Sequence, residues 1–140
     1  MTIETANYHH GNLRLALLDA AIDQIKEHGV EKLSMRGIAR IVGVSQTAPY
    51  RHFEDKNHLL AEVATQAFSE LYDISIAAIN PIESPIKNIH ATGLVYLQYA
   101  IDNPEKYRVI FGSRIQNRQS YPSMIEAGEK SFQILIDQVE

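Results

Sequence analysis

Apolar residues along this chain recur three and four positions apart, and no run of four or more alternates apolar and polar as a half-buried strand would. The pattern predicts an all-α fold. A first helix is expected after Asn12, a suitable N-cap. It has Leu13, Leu17, Ala20, Ala21 and Ile25 on one face, Leu18 and Ile22 widening the stripe, and Gly29 to end it in a left-handed turn. Ser34 opens a second helix, with Leu33 and Ile38 spaced as a hydrophobic staple, and Gly43 stops it. Val44-Ser45 repeats the device, so Ser45 is expected to cap a third helix. Two short helices joined by a Gly-containing turn make a helix-turn-helix.

Asp55 then caps a long fourth helix, whose stripe runs from Leu59/Leu60 through Val63/Ala64, Ala67/Phe68, Leu71 and Ile74 to about Ile79, before Asn80-Pro81 breaks it. Ser84-Pro85 starts a fifth, with Ile86, Ile89, Gly93, Leu97, Ala100 and Ile101 as its apolar face. A short sixth runs from Asn103-Pro104 to Gly112, Ser113–Ser120 reads as a polar loop, and a seventh begins near Tyr121-Pro122. That seventh helix aligns Met124, Ala127, Gly128, Ser131, Phe132, Leu135 and Val139 along one side. Its stripe is still running at Glu140, so a second subunit or further C-terminal residues are expected to cover it. The organisation expected is a three-helix domain over residues 1–55 and a helical domain over 56–140, the latter incomplete at its C-terminus.

Composition narrows the functional classes. With 0 Cys there is no disulfide framework, thiolate zinc site or cysteine nucleophile. The first residues lack a secretory pattern and no apolar run reaches the ~18 residues a membrane span needs, so a soluble cytoplasmic protein is expected. The net charge is −4, yet it is unevenly spread. Between Lys32 and Phe53 stand Lys32, Arg36, Arg40 and Arg51 with no acidic residue, a local positive stretch in an otherwise acidic chain.

Within that stretch the expected third helix carries Gln46, Thr47, Tyr50, Arg51 and His52, all able to hydrogen-bond, against only Pro49 and Phe53 for packing. Gln can bridge the N6/N7 edge of adenine, Arg the O6/N7 edge of guanine, and a Thr methyl can touch thymine. Tyr50 and Lys56 suit phosphates, as do Ser34 and Arg36 at the start of the helix in front. The competing reading is an ordinary solvated surface helix. Gly37 and Ala39 are small enough to mark a close helix crossing. His9-His10 and the remaining histidines show no i, i+4 pairing, so no metal site is expected. His90, Tyr96, Tyr99, Tyr107 and Phe111 admit two readings, a packed core or the lining of a small-molecule cavity. No phosphate loop, nucleophile motif or suggestive carboxylate pair occurs, so neither an enzyme nor a cofactor is expected.

Three segments carry a family resemblance: Tyr8-His-His-Gly-Asn-Leu-Arg14, Gly37-Ile-Ala-Arg-Ile-Val-Gly-Val-Ser45, and Ala48-Pro-Tyr-Arg-His-Phe53 followed by Lys56. Together they make residues 8–70 similar to the N-terminal domain of the TetR family of bacterial transcriptional regulators. Asn103-Pro-Glu-Lys-Tyr-Arg-Val-Ile-Phe-Gly112 resembles a C-terminal domain subgroup that often accompanies this motif. The resemblance implies a helical homodimer that places its third helix in the major groove of a palindromic operator and is released by a small apolar or aromatic effector held among the later helices. It puts Gln46, Thr47, Tyr50, Arg51 and His52 on the recognition helix, Lys56 at a phosphate, and Ser34 and Arg36 near the backbone. The alternative from another class is a truncated helical interaction protein without independent operator binding.

Overall fold

A computed structural model describes residues 12–140, so the first ten residues of the sequence, among them His9-His10 and most of the first family segment, together with Gly11 lie outside the described part. The described chain folds into six α-helices: α1 (Leu13–His28), α2 (Met35–Val42), α3 (Lys56–Ala78), α4 (Pro85–Asp102), α5 (Pro104–Phe111) and α6 (Pro122–Val139). Short 3-10 turns occupy Val30–Lys32, Ala48–Arg51 and Arg118–Ser120. No strand forms among the described residues.

The N-terminal helices follow their apolar pattern closely. α1 buries Ala16, Leu17, Leu18, Ala20, Ala21, Ile22 and Ile25, and α2 answers with Met35, Ile38, Ala39 and Val42. Ser34 caps α2, its Oγ accepting the Gly37 N–H at 2.9 Å. A Cβ at Gly37 would stand 2.8 Å from that same Oγ and 3.0 Å from Gln24 Nε2 of α1, so a larger residue there would crowd the capping hydroxyl and push the Gln24 amide aside. Gly43 closes α2 in the left-handed region (φ 85°, ψ 34°), where a side chain would be strained.

The expected third helix is not an α-helix. Residues 46 and 47 form a turn, and Ala48–Arg51 makes a single 3-10 turn without a side-chain cap. The Ser45 hydroxyl instead lies 3.2 Å from Thr47 Oγ1. Pro49 explains the difference, because it has no N–H to donate to Ser45 C=O and so breaks the α ladder at its start. The bonds Ala48 N–H to Ser45 C=O (3.1 Å), Tyr50 N–H to Thr47 C=O (3.1 Å) and His52 N–H to Pro49 C=O (3.0 Å) all span three residues.

α3 is the spine, buried at Leu59, Leu60, Ala61, Val63, Ala64, Ala67, Leu71 and Ser75 and packed against α1, α4, α5 and α6. Asp55 caps it as expected, accepting the His58 N–H at 2.8 Å.

α4 departs from expectation. The residues it buries are Asn88, Thr92 and Tyr99, while Ile86 (79%), Leu97 (63%) and Ile101 (72%) lie exposed. Its inward face is polar but satisfied: Asn88 Nδ2 donates to Asn80 C=O (3.1 Å) and to Gln138 Oε1 (3.2 Å), and Thr92 donates to a carbonyl of its own helix. α6 divides similarly, with Met124, Ser131 and Ile134 inside and Phe132 and Val139 outside. Met124 therefore belongs to the core and is not part of an outward stripe.

A partly buried ion pair, with a tyrosine hydroxyl bonded to it, joins α3, α4 and α5. Lys106 Nζ lies 2.9 Å from Glu70 Oε1 and 3.2 Å from Oε2, and the Tyr99 hydroxyl donates to Oε2 at 2.8 Å. Burial first, then the hydrogen bond and charge of Glu70, push the Tyr99 hydroxyl far above its ordinary pKa, so it stays a donor throughout the working pH range. Lys106 is buried whereas Glu70 retains contact with water. Removing the acid should accordingly hurt more than removing the base. Urea unfolding should show Glu70→Leu costing about 3 kcal/mol, Lys106→Met costing less, and the double variant recovering part of the loss of the first. A Glu70→Leu chain as stable as the wild type would contradict this.

Candidate nucleic-acid interface and neighbouring cavity

The segment Ser45–Phe53 alternates between anchors and free side chains. Ala48, Pro49 and Phe53 are buried, Phe53 completely. Ser45, Gln46, Thr47, Tyr50 and Arg51 are exposed, and His52 is half-buried with its ring centroid 6.3 Å from that of Phe53.

Neighbouring elements frame this surface. Ser34, Arg36 and Arg40 are exposed on the α2 side, and Lys56, the half-buried first residue of α3, stands just after the Asp55 cap. Ser34 Oγ accepts a backbone N–H, which leaves its hydroxyl proton free to donate outward. The exposed groups are thus Gln and Arg with paired donors or acceptors, Thr and Tyr hydroxyls, and cations, without an acidic side chain between Lys32 and Phe53.

Phe53 is held from two more sides. The Arg14 guanidinium lies 5.4 Å from its ring centroid and reaches Glu62 of α3 at 2.5 Å. The His58 ring meets Phe53 edge-on at 5.8 Å. Arg14 sits in the first family segment, but nothing in its spacing announces a contact with a ring thirty-nine positions later.

The five residues proposed around a cavity are not all brought together. An open cavity of about 610 Å³ is lined by His90, Gly93, Leu94, Tyr96, Leu97 and Ala100 of α4, Tyr107 of α5 and Leu135 of α6. His90, Tyr96 and Tyr107 face it. Tyr99 does not, because its hydroxyl is turned inward onto Glu70. Phe111 lies beside it rather than in it, its ring centroid 4.8 Å from Tyr107 and 6.1 Å from Phe68. Periodicity missed Leu94 and Leu135 as lining because both were assigned to packing faces or passed over. Of the lining side chains, Tyr96 makes a polar contact outside the cavity, its hydroxyl 3.0 Å from Ser131 Oγ.

Sequence reasoning also missed Asn57. Its Oδ1 accepts the Gln116 N–H (2.8 Å), and its Nδ2 donates to Gln116 C=O (2.7 Å) and to the Tyr121 hydroxyl (2.7 Å). Arg118 is the second omission: its guanidinium donates to the carbonyls of Val109 (3.3 Å), Ile110 (2.8 Å) and Gly112 (3.0 Å), closing the end of α5. Both residues act across sequence gaps that no local pattern spans.

Comparison with known proteins agrees with this geometry. Residues 17–63 match the family described as "Bacterial regulatory proteins, tetR family". An uncharacterized HTH-type transcriptional regulator of Mycobacterium tuberculosis is 33% identical over 106 residues, covering 75% of this chain and 45% of its own. An HTH-type transcriptional regulator of Mycobacterium bovis is 28% identical over 101 residues, 71% of this chain and 43% of the relative. The chain therefore spans less than half the length of these relatives. A solved protein of unknown function from Rhodococcus sp. RHA1 superposes with a TM-score of 0.77 at 29% identity, over 94% of this chain and 68% of the other. A TetR-family transcription regulator from Marinobacter aquaeolei VT8, with a TM-score of 0.67 at 18% identity over 95% and 69% of the two chains, shares the fold. No helix among the described residues is long and apolar enough to cross a membrane. From its helix-turn-helix, its matched residues and its regulator relatives, the N-terminal part of the chain, residues 17–63, carries the domain described for bacterial regulatory proteins of the tetR family.

Proposed function

We propose that this chain is a sequence-specific DNA-binding regulator, acting in the cytoplasm as a repressor, that reads a palindromic operator as a homodimer and leaves it when a small apolar or aromatic effector binds. The observation that carries the reading is the outward set of Gln46, Thr47, Tyr50 and Arg51 on a turn anchored by buried Ala48, Pro49 and Phe53. Gln46, Thr47, Arg51 and half-buried His52 read base edges; Ser34, Arg36, Tyr50 and Lys56 hold phosphates. Residues 1–55 would form the DNA-binding unit and 56–140 the effector and dimerisation unit. Regulation rather than catalysis also agrees with the names of the relatives.

Replacing Arg51 or Gln46 by Ala should cost about 1–3 kcal/mol of operator affinity and relax the preference at one base pair, while Lys56→Ala should weaken all duplexes alike. Fluorescence anisotropy on an operator and a scrambled duplex distinguishes the two behaviours. Equal losses on both duplexes for every variant would overturn the reading roles, and a chain that binds neither duplex would favour the interaction-protein alternative.

For the effector, the cavity offers Leu94, Leu97, Ala100 and Leu135 to an apolar body, with His90, Tyr96 and Tyr107 at its polar points. A compound binding here shifts the chain off DNA only through a preference for the non-binding conformation. Thermal-shift hits among uncharged aromatic compounds should lose their effect in Leu97→Asp and keep it in Ile41→Ser. Hits indifferent to Leu97→Asp would put the effector elsewhere.

For assembly, two half-sites lie about 34–36 Å apart, so one copy reads only half an operator. Exposed Phe132 and Val139 of α6, with Leu135 beside them, supply apolar surface for a two-fold contact. Phe132→Glu should lower the sedimenting mass and weaken operator binding together. A wild-type chain that sediments as a monomer at tens of micromolar, and binds one half-site as tightly as two, contradicts the dimer.

A further inference from the structure

The loop Ser113–Tyr121 is fastened to two separate parts of the molecule. Toward the cavity, Arg118 grips the last carbonyls of α5, the helix that gives Tyr107 to the cavity wall. Toward the DNA-facing segment, Gln116 exchanges both backbone hydrogen bonds with the Asn57 side chain, and Tyr121 receives the third. Both Nδ2 protons of Asn57 are thereby used, and its Oδ1 is engaged, so the side chain has little freedom. Just before these fastenings Ile115 is buried in the core, which keeps the loop from swinging independently.

Asn57 directly follows Lys56, and its neighbour His58 extends the connection. The His58 ring stacks on Tyr121 (centroids 5.8 Å, interplanar angle 16°) and meets Phe53 edge-on (5.8 Å, 70°). Its Nδ1 accepts the Glu54 N–H at 2.9 Å. A displacement of the loop therefore reaches the anchor of the DNA-facing turn, and Lys56, through short contacts rather than through the length of a helix.

We propose that Asn57, clamped to the Ser113–Tyr121 loop, is the positioning residue through which α5 sets the orientation of the Ser45–Phe53 turn. This rests on the DNA-reading role of that turn. Asn57 touches no base in this account; it sets how well Gln46 and Arg51 meet theirs. Its loss should thus erode discrimination between sequences more than total affinity. Arg118, which stands between Gln116 and Tyr121 and ties the loop to the end of α5, should have the same effect although it does not touch the turn.

The test uses a duplex enriched on the wild-type chain from a random-sequence pool, together with a scrambled duplex of equal length. Anisotropy gives the affinity ratio, and thermal unfolding and circular dichroism establish that each variant is folded. Asn57→Ala and Arg118→Ala should each narrow the ratio about tenfold. Asn57→Asp, which keeps the acceptor for Gln116 N–H, should narrow it less; its added charge weakens both duplexes together and leaves the ratio readable. Should Asn57→Ala fail to fold, Tyr121→Phe removes one bond of the clamp and should narrow the ratio by a smaller factor. Folded variants whose ratios stay within about twofold of wild type would overturn the proposal. So would a loss confined to Asn57→Ala, since Asn57 would then be a local brace unconnected to α5. A wild-type chain that cannot separate the two duplexes is a different result: it removes the DNA-reading assignment, and this inference with it.

Discussion

One helix has to satisfy two layers at once. α3 is 23 residues long, and its buried positions from Leu59 to Ser75 wrap far enough round the axis to receive α1 on one side and α4, α5 and α6 on the others. Fully burying a Leu or Val contributes roughly 1.5–3 kcal/mol, so Leu59, Val63 and Leu71 together give α3 a strong hold on both groups of helices. The consequence is a single buried cluster running from Ala16 to Met124. The Ser45–Phe53 turn hangs at the N-terminal end of that helix, immediately before the Asp55 cap, and takes its position from it.

The N-terminal half was legible because its instructions are local. Caps at Ser34 and Asp55, a stop at Gly43 and a one-sided apolar stripe in α1 each act within one or two turns of helix and are found where the pattern puts them, whereas Asn12 makes no side-chain cap and Gly29 ends α1 at φ 83°, ψ 165° rather than in a left-handed helical turn. The failure nearest the site is equally local. Ser45 repeats the capping signature of Ser34, but Pro49 removes the donor that an α-helix would need, and a 3-10 turn results. In the turn that forms, Gln46, Thr47, Tyr50 and Arg51 reach solvent and His52 is half-buried.

The C-terminal half was less legible because its helices do not sort by hydropathy alone. α4 places Asn88, Thr92 and Tyr99 inside and leaves Ile86, Leu97 and Ile101 outside. Each inward polar group there is paired with a partner distant in sequence or with its own helix backbone, information that a periodicity search cannot hold. Tyr99 illustrates the point: counted with Tyr96 and Tyr107 as one aromatic cluster, it turns away from the cavity because Glu70, twenty-nine positions earlier, is waiting for its hydroxyl. Asn57 and Arg118 escaped for the same reason.

The alternation of anchors and free side chains in Ser45–Phe53 separates two kinds of selection on neighbouring codons. Substitutions at Ala48, Pro49 or Phe53 are screened for whether the domain folds, because those side chains are enclosed. Substitutions at Gln46, Thr47, Tyr50 or Arg51 meet open solvent and leave the core untouched. Pro49 sharpens the division by fixing the backbone on which the variable positions stand, so a new side chain there inherits a ready-made direction. Such a segment can change the groups it offers to solvent by single steps that leave its buried anchors in place.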